Sequence, residues 1–370
     1  MLPKWFDVWN RKNPTNIFGP AILIGVMGGA VFVVAMLVAF GQPYATASVQ
    51  TGPRGTGMDL TKRISETNTP DPTLALYADT LSDPIIPTGT EPLAKAVYKN
   101  VQVLGDVTED NFNRTMLAIT QWVAPEQGCA YCHGDGALET YGEDTLYTKV
   151  VARRMLQMTQ NLNENWSGHV NVTGNAGVNC FTCHRGQNVP SGIWYRIAPI
   201  NASMAGWGAV QNQATIQSQY TSLPSDALEA YLLNGENINV HDLESRVARD
   251  PSLPTVQNAE RTFSLMNYFS NSLNVNCTFC HNTRAFYDPE QVTPQWATAL
   301  LGIEMVKELN TEYLAPLVEV LPPNRLGPVY ADAPKAACLT CHKEYQKPMG
   351  GADMISQWPE LAASGKPVYE

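Results

Sequence analysis

The sequence predicts a mainly α-helical chain with much irregular loop, built from two related halves and preceded by one membrane-spanning helix. Three observations predict it. Gly and Pro contribute 27 and 26 of the 370 residues while charged residues make up only 16%, a balance that favours short helices joined by long irregular connections over a regular sheet or bundle. An almost continuously apolar stretch runs from Ile17 to Phe40, inside an uncharged segment from Asn13 to Pro53. A five-residue pattern, Cys-x-x-Cys-His, then occurs four times and uses all eight cysteines.

The apolar stretch comes first in the chain. As a helix its 24 residues would span roughly 36 Å, enough to cross a bilayer core of about 30 Å. Lys4, Arg11 and Lys12 precede it, so residues 1–41 are expected to form a cytoplasmic N-terminus and an anchor, with the rest of the chain outside. A cleaved signal peptide is the alternative, with Ala45-Thr46-Ala47 as the cleavage site. The run is longer than the roughly 7–15 residues of a usual signal-peptide core, which favours an uncleaved anchor. Residues 42–90 hold many Thr, Pro, Gly and Asp with little apolar periodicity and are expected to be an extended periplasmic segment laid over a surface.

The four motifs are Cys129-Ala-Tyr-Cys132-His133, Cys180-Phe-Thr-Cys183-His184, Cys277-Thr-Phe-Cys280-His281 and Cys338-Leu-Thr-Cys341-His342. Each offers two thiols three residues apart and an imidazole one residue later, so on a helical turn all three project toward one face. That is the pattern of c-type haem attachment: two thioether bonds to one porphyrin edge, and an axial histidine on the iron. Zinc would take its ligands from pairs of Cys-x-x-Cys and would not need a histidine after every second cysteine. Disulfides are allowed by the even count but leave the four histidines unexplained. Four covalently bound haems c are therefore expected, with His133, His184, His281 and His342 as proximal ligands. The net charge of −10, before any haem propionate is counted, excludes a nucleic-acid partner and suits a basic soluble electron carrier.

Two sequence pairs point to an internal duplication. Asn113-Arg114-Thr115-Met116 leads to the first motif and Glu260-Arg261-Thr262-Phe263-Ser264-Leu265-Met266 to the third; Met158-Thr-Gln-Asn-Leu-Asn163 precedes the second motif and Met305-Val-Lys-Glu-Leu-Asn310 the fourth. Residues 91–190 and 255–370 are thus expected to be di-haem halves related by a pseudo-twofold, joined by a connecting region at 191–254. Thr145–Asn165 and Pro294–Leu314 have the clearest helical pattern.

Each iron needs a sixth ligand, or an open position for a substrate. Methionine sulfur raises the potential of a histidine-ligated haem, whereas a second histidine gives a lower one. Met116 stands 13 residues before Cys129, and Met266 stands 11 before Cys277; both are candidates on predicted helices. For the second haem, Met158 is preferred to Met155 because it aligns with Met305 in the duplication. For the fourth, the residues alone rank Met305 first, His169 second and His241 third. No acid, base or nucleophile is required, and no catalytic residue is assigned. A multihaem redox enzyme and a quinol-linked membrane cytochrome are the alternatives to an electron relay.

Over essentially the whole chain after the anchor, the sequence resembles the tetrahaem cytochrome c subunit of the bacterial photosynthetic reaction centre. The resemblance is carried by the four motifs, by Met116, Met158 and Met266, by Gly-Val-Asn-Cys180-Phe-Thr-Cys183-His184-Arg-Gly, and by the tail from Cys338 through Trp358-Pro-Glu-Leu361. It implies Met116, Met158 and Met266 as distal ligands of the first three haems. For the fourth it implies His169, which displaces Met305 to a packing role. It further implies a spatial order of haems 1, 2, 4, 3 in the periplasm of the photosynthetic inner membrane. Electrons would enter from a soluble cytochrome c or high-potential iron-sulfur protein and leave to the photo-oxidised bacteriochlorophyll pair of the core subunits. Some family members are lipoproteins anchored through an N-terminal cysteine; this chain has none there, and the helix at Ile17–Phe40 would replace it. Arg185, next to a haem ligand, is a candidate propionate partner, with an ordinary surface arginine as the equal alternative.

Overall fold

The structure is a computed structural model that describes residues 3–13, 18–40, 45–51, 58–67, 70–172, 176–199, 206–238, 256–286 and 288–369. His241 and much of the expected connecting region lie outside the described residues. The chain divides into two units, residues 1–48 with 61–69, and residues 49–60 with 70–370.

The first unit holds helices α1 (Lys4–Lys12) and α2 (Phe18–Phe40). Asp7 in the first turn of α1 and Arg11 and Lys12 in its last match the sign of the helix dipole at each end. In α2 the stretch Ala21–Phe40 has a mean hydropathy of 2.7 and none of it is buried. A helix apolar on every side has no water-facing stripe. Among the described residues it is the one helix long and apolar enough to cross a bilayer. Two short strands, β1 (Thr46–Gln50) and β2 (Asp59–Arg63), pair with each other.

The second unit is built on four long helices, α3 (Glu109–Val123), α4 (Tyr147–Asn165), α5 (Val256–Leu273) and α6 (Pro294–Glu308). Each is followed in the chain by one Cys-x-x-Cys-His turn. Helix α3 opens after Thr108 with Glu109 and Asp110 in its first turn, favourable at the positive helix end. It stops at Val123 because Pro125 disfavours helical backbone at Ala124. Helix α6 starts with Pro294 at its first position, where a missing N–H is harmless. It runs on as a wide π-turn over Leu309–Leu314; Pro316 follows two residues later and has no N–H to continue a regular ladder. The helical limits expected at Thr145–Asn165 and Pro294–Leu314 therefore agree with the structure to within two residues.

Two buried clusters lie among these helices. One gathers Leu162, Tyr231, Leu265, Met305 and Val306. The other gathers Tyr77, Trp122, Phe181, Met354 and Trp358, with the Trp122 and Trp358 rings edge-to-face at 4.7 Å, the arrangement that aromatic quadrupoles favour. Residues 77–85 run along α3. The Asn111 side chain brackets Ile85, accepting from its N–H at 2.9 Å and donating to its carbonyl at 2.7 Å.

The C-terminal tail is fastened to α3 by a buried ion pair. Arg114 Nη2 meets Glu360 Oε1 at 2.7 Å, with the side chains 7% and 0% exposed. Arg114 Nη1 also donates to the carbonyls of Ser82 and Gln357, each at 2.7 Å, and the guanidinium stacks 4.4 Å from the Trp358 ring. Removing one partner leaves the other charge buried and uncompensated. Arg114→Leu is therefore expected to destabilise the protein by about 3–5 kcal/mol, measured by denaturant unfolding of the holoprotein. A loss below about 1 kcal/mol, the range of exposed pairs, would show that Glu360 finds other compensation.

Candidate functional site

The four motif turns share one device. Each histidine places its Nδ1 against a backbone carbonyl: His133 on Tyr141 at 3.1 Å, His184 on Gln187 at 2.8 Å, His281 on Phe286 at 3.0 Å and His342 on Tyr345 at 3.0 Å. A ring whose Nδ1–H is held by a carbonyl has its Nε2 lone pair fixed in direction and free to bind a metal. Burial lowers the pKa of all four, that of His342 to about 4, so they are neutral imidazoles at neutral pH. Burial also pushes the Cys132 and Cys280 thiols up to about 11 and Cys180 and Cys338 to about 12, which keeps them neutral as well.

The turns fall into two kinds. In the second and fourth motifs the central Thr182 and Thr340 accept from the N–H of the residue before the first cysteine, at 3.1 and 2.9 Å. Both end in a left-handed residue, Arg185 at φ 50° and Lys343 at φ 51°, and the ring is held by the carbonyl three residues on. The first and third motifs lack that threonine, and their rings reach eight and five residues ahead. The second and fourth motifs also meet: Cys183 and Cys341 are joined through their sulfurs, with Cα atoms 4.6 Å apart. A sulfur forms either a disulfide or a thioether, so at these two positions the pairing and the expected haem attachment are alternatives. Either way, the second cysteines of the two motifs adjoin.

A fifth histidine uses the same device. His169 Nδ1 sits 2.8 Å from the Thr298 carbonyl on α6, and its ring stands 6.2 Å from that of His342, inclined by 70°. Two imidazoles sharing one metal at about 2 Å each would have ring centroids about 6 Å apart. Gly302 makes room for this ring: a Cβ there would lie 2.5 Å from His169 Cε1 and 3.0 Å from Nδ1. A glycine inside a helix costs about 1 kcal/mol relative to alanine, and such a glycine usually has a packing reason; that signal was present in Leu300-Leu301-Gly302-Ile303. Gly302→Ala is expected to displace the His169 ring and alter the absorption spectrum and midpoint of one haem, while an unchanged redox titration would show that the ring tolerates the methyl. Met305 is in the buried core cluster, with Cys338 packed against it.

Met116, Met158 and Met266 are half-buried on helices α3, α4 and α5. Phe112, Met116, Ile119 and Val123 form one stripe along α3 that the second cluster covers only in part. On α5, Phe263 remains 53% exposed one turn before Met266. Partly covered apolar stripes around a thioether fit a large apolar cofactor.

Arg185 is not a surface residue. Its Nη1 is ion-paired with Asp71 Oδ2, the side chains being 9% and 0% exposed, because a carboxylate so buried must be compensated. Among the described residues the buried Arg185 Nε has no partner, and it is a donor of the kind a propionate would satisfy. Asp71 gave no signal in the sequence, since its partner is remote in the chain.

Histidines with carbonyl-fixed tautomers, thiols paired in Cys-x-x-Cys turns and half-covered apolar stripes define a c-type cytochrome. Residues 41–362 match the family model described as photosynthetic reaction centre cytochrome C subunit. The photosynthetic reaction center cytochrome c subunit of Roseobacter denitrificans is 65% identical over the full length of both chains. That of Rubrivivax gelatinosus is 40% identical over 92% of this chain and 90% of its own, and that of Thermochromatium tepidum is 42% identical over 74% and 65%. The chain belongs to the photosynthetic reaction centre cytochrome c subunit family. Membership implies covalently bound haem c, association with the reaction-centre core, and electron transfer in photosynthesis rather than enzymatic turnover.

Proposed function

We propose that the chain relays electrons from a soluble periplasmic carrier, a cytochrome c or a high-potential iron-sulfur protein, through four covalently held haems to the photo-oxidised bacteriochlorophyll pair. Bound haem supplies a one-electron iron couple; the chain supplies ligation, orientation and tuning. All eight motif cysteines form thioethers, and His133, His184, His281 and His342 are the proximal ligands. Met116, Met158 and Met266 would supply the further ligands of the first three irons, and His169 that of the fourth. The observation that carries this assignment is the pair His169 and His342, each ring anchored at Nδ1 and their centroids separated as those of two ligands of one iron would be.

The matching turns of the second and fourth motifs support two di-haem halves related by a pseudo-twofold, and the adjacency of Cys183 and Cys341 supports haem 2 lying beside haem 4. Three bonds tie the third motif to the segment following the anchor: Thr51 Oγ1 to the Thr278 carbonyl at 2.7 Å, and Asn276 Nδ2 and Thr278 Oγ1 to the Asp59 carbonyl at 2.9 and 2.8 Å. Helix α2 anchors the chain in the inner membrane with the haem-bearing unit in the periplasm.

The test is to purify the chain from photosynthetic membranes, count haems per chain and follow re-reduction of the pair after a flash. Four haems, co-purifying bacteriochlorophyll subunits and fast re-reduction are expected. Two haems with an intact Cys183–Cys341 disulfide, or no reduction of the pair, would overturn the proposal.

A further inference from the structure

The second and fourth motifs meet around a charged junction. Arg185 follows His184 and Lys343 follows His342, both in the left-handed conformation. Arg185 reaches across the junction, its Nη2 lying 3.4 Å from the carbonyl of Cys341. The Lys343 Nζ lies 2.6 Å from both the carbonyl and the hydroxyl of Ser191. The carboxylate here is Asp71, carried by the segment that precedes the haem-bearing helices. Its Oδ2 takes Arg185 Nη1, and its Oδ1 accepts from the Thr73 N–H at 2.9 Å and hydroxyl at 2.6 Å. Both Asp71 oxygens are thus satisfied.

We propose that Asp71 is a positioning residue for electron transfer: through Arg185 it sets the reduction potentials of the two haems held by Cys180–His184 and Cys338–His342 together. This rests on the haem assignment above. A cation beside an iron favours the ferrous form, since reduction adds a negative charge, and a carboxylate paired to that cation offsets the effect. Arg185 is bonded to the chain next to one proximal ligand and touches the backbone next to the other. Its net field is therefore felt at both irons. The pair is buried, so salt screens it little.

The experiment uses the full chain purified with its haems, titrated potentiometrically in the visible bands. Asp71→Asn keeps the shape and both bonds from Thr73 within reach while removing the charge. Two of the four midpoints are expected to rise, so that at a fixed poise near them the ratio of reduced to oxidised haem grows about threefold to tenfold, tenfold being 59 mV for one electron. The other two midpoints stay in place, and the shift persists at high salt. Arg185→Gln alone leaves the carboxylate uncompensated and is expected to lower the same two midpoints. The double variant returns them toward their starting values, and Asp71→Glu keeps them there.

Four unmoved midpoints in Asp71→Asn, a uniform shift of all four, or a shift that the double variant does not reverse would overturn the proposal. If Asp71→Asn does not assemble, the Arg185→Gln titration decides alone: two lowered midpoints support the proposal, and none overturns it. Failure of the haem assignment has a different signature, fewer than four haems in the unsubstituted chain.

Discussion

Replacing His169 with methionine is expected to raise the midpoint of one haem by a sizeable part of the roughly 0.8 V that axial ligation can span, and to leave three midpoints nearly unchanged. The haem affected is the lowest or second-lowest of the four, because a second imidazole donates more strongly to ferric iron than a thioether does. The structure makes the substitution informative because the ring is so firmly held. It is fixed by the Thr298 carbonyl at Nδ1, seated over the bare Cα of Gly302 and faced by His342. Methionine has the reach to present sulfur from the same short helix, Ser167–Val170, but cannot make the Thr298 bond. Redox titration of the purified complex checks the result; an unaltered titration would return the ligand role to Met305.

That outcome would be surprising on packing grounds. Met305 is 7% exposed inside a cluster with Leu162, Tyr231 and Leu265, and rotating its thioether toward an iron would empty that site. The residues alone nevertheless favoured Met305, because duplication aligns it with Met158, and repeats carry information only about what the two halves share. A ligand donated from one part of the chain to a motif far along it is the kind of feature a repeat hides.

Features set by neighbouring residues were legible in the sequence. The four motifs are local, and so are the limits of α4 and α6, fixed by apolar periodicity and by Pro294 and Pro316. The apolar run of α2 needs no partner to be read. What was not legible depends on burial between remote segments. Arg185 reads from the sequence as a propionate partner or a surface residue, and neither reading contains its buried pairing with Asp71. The segment 70–90 looked featureless, yet it inserts Tyr77 between Trp122 and Phe181, with ring separations of 6.3 and 5.3 Å. Nor did five-residue motifs reveal that two of them end in left-handed residues and touch, because that contact is made only when α3 to α6 assemble.

Met266→Leu tests the haem proposed to stand next to the photo-oxidised pair. Leucine matches the volume and apolar character of methionine, so packing against the first buried cluster should change by less than about 1.5 kcal/mol, and the fold is expected to survive. The sulfur does not survive, and with it goes the ligand that favours the ferrous state. One midpoint is expected to fall, and the third haem would then stand oxidised at a poise that normally keeps it reduced. A lower potential increases the driving force from that haem to the photo-oxidised pair, so the step itself need not be slower. What is lost is the resident electron: after a flash the pair must wait for one from farther along the chain. Flash kinetics at that poise should show the fast phase of re-reduction replaced by a slower one, and strongly reducing conditions should restore it. Unchanged fast kinetics at every poise would remove Met266 from the ligand set, and a slow phase that persists under reducing conditions would point to a displaced haem.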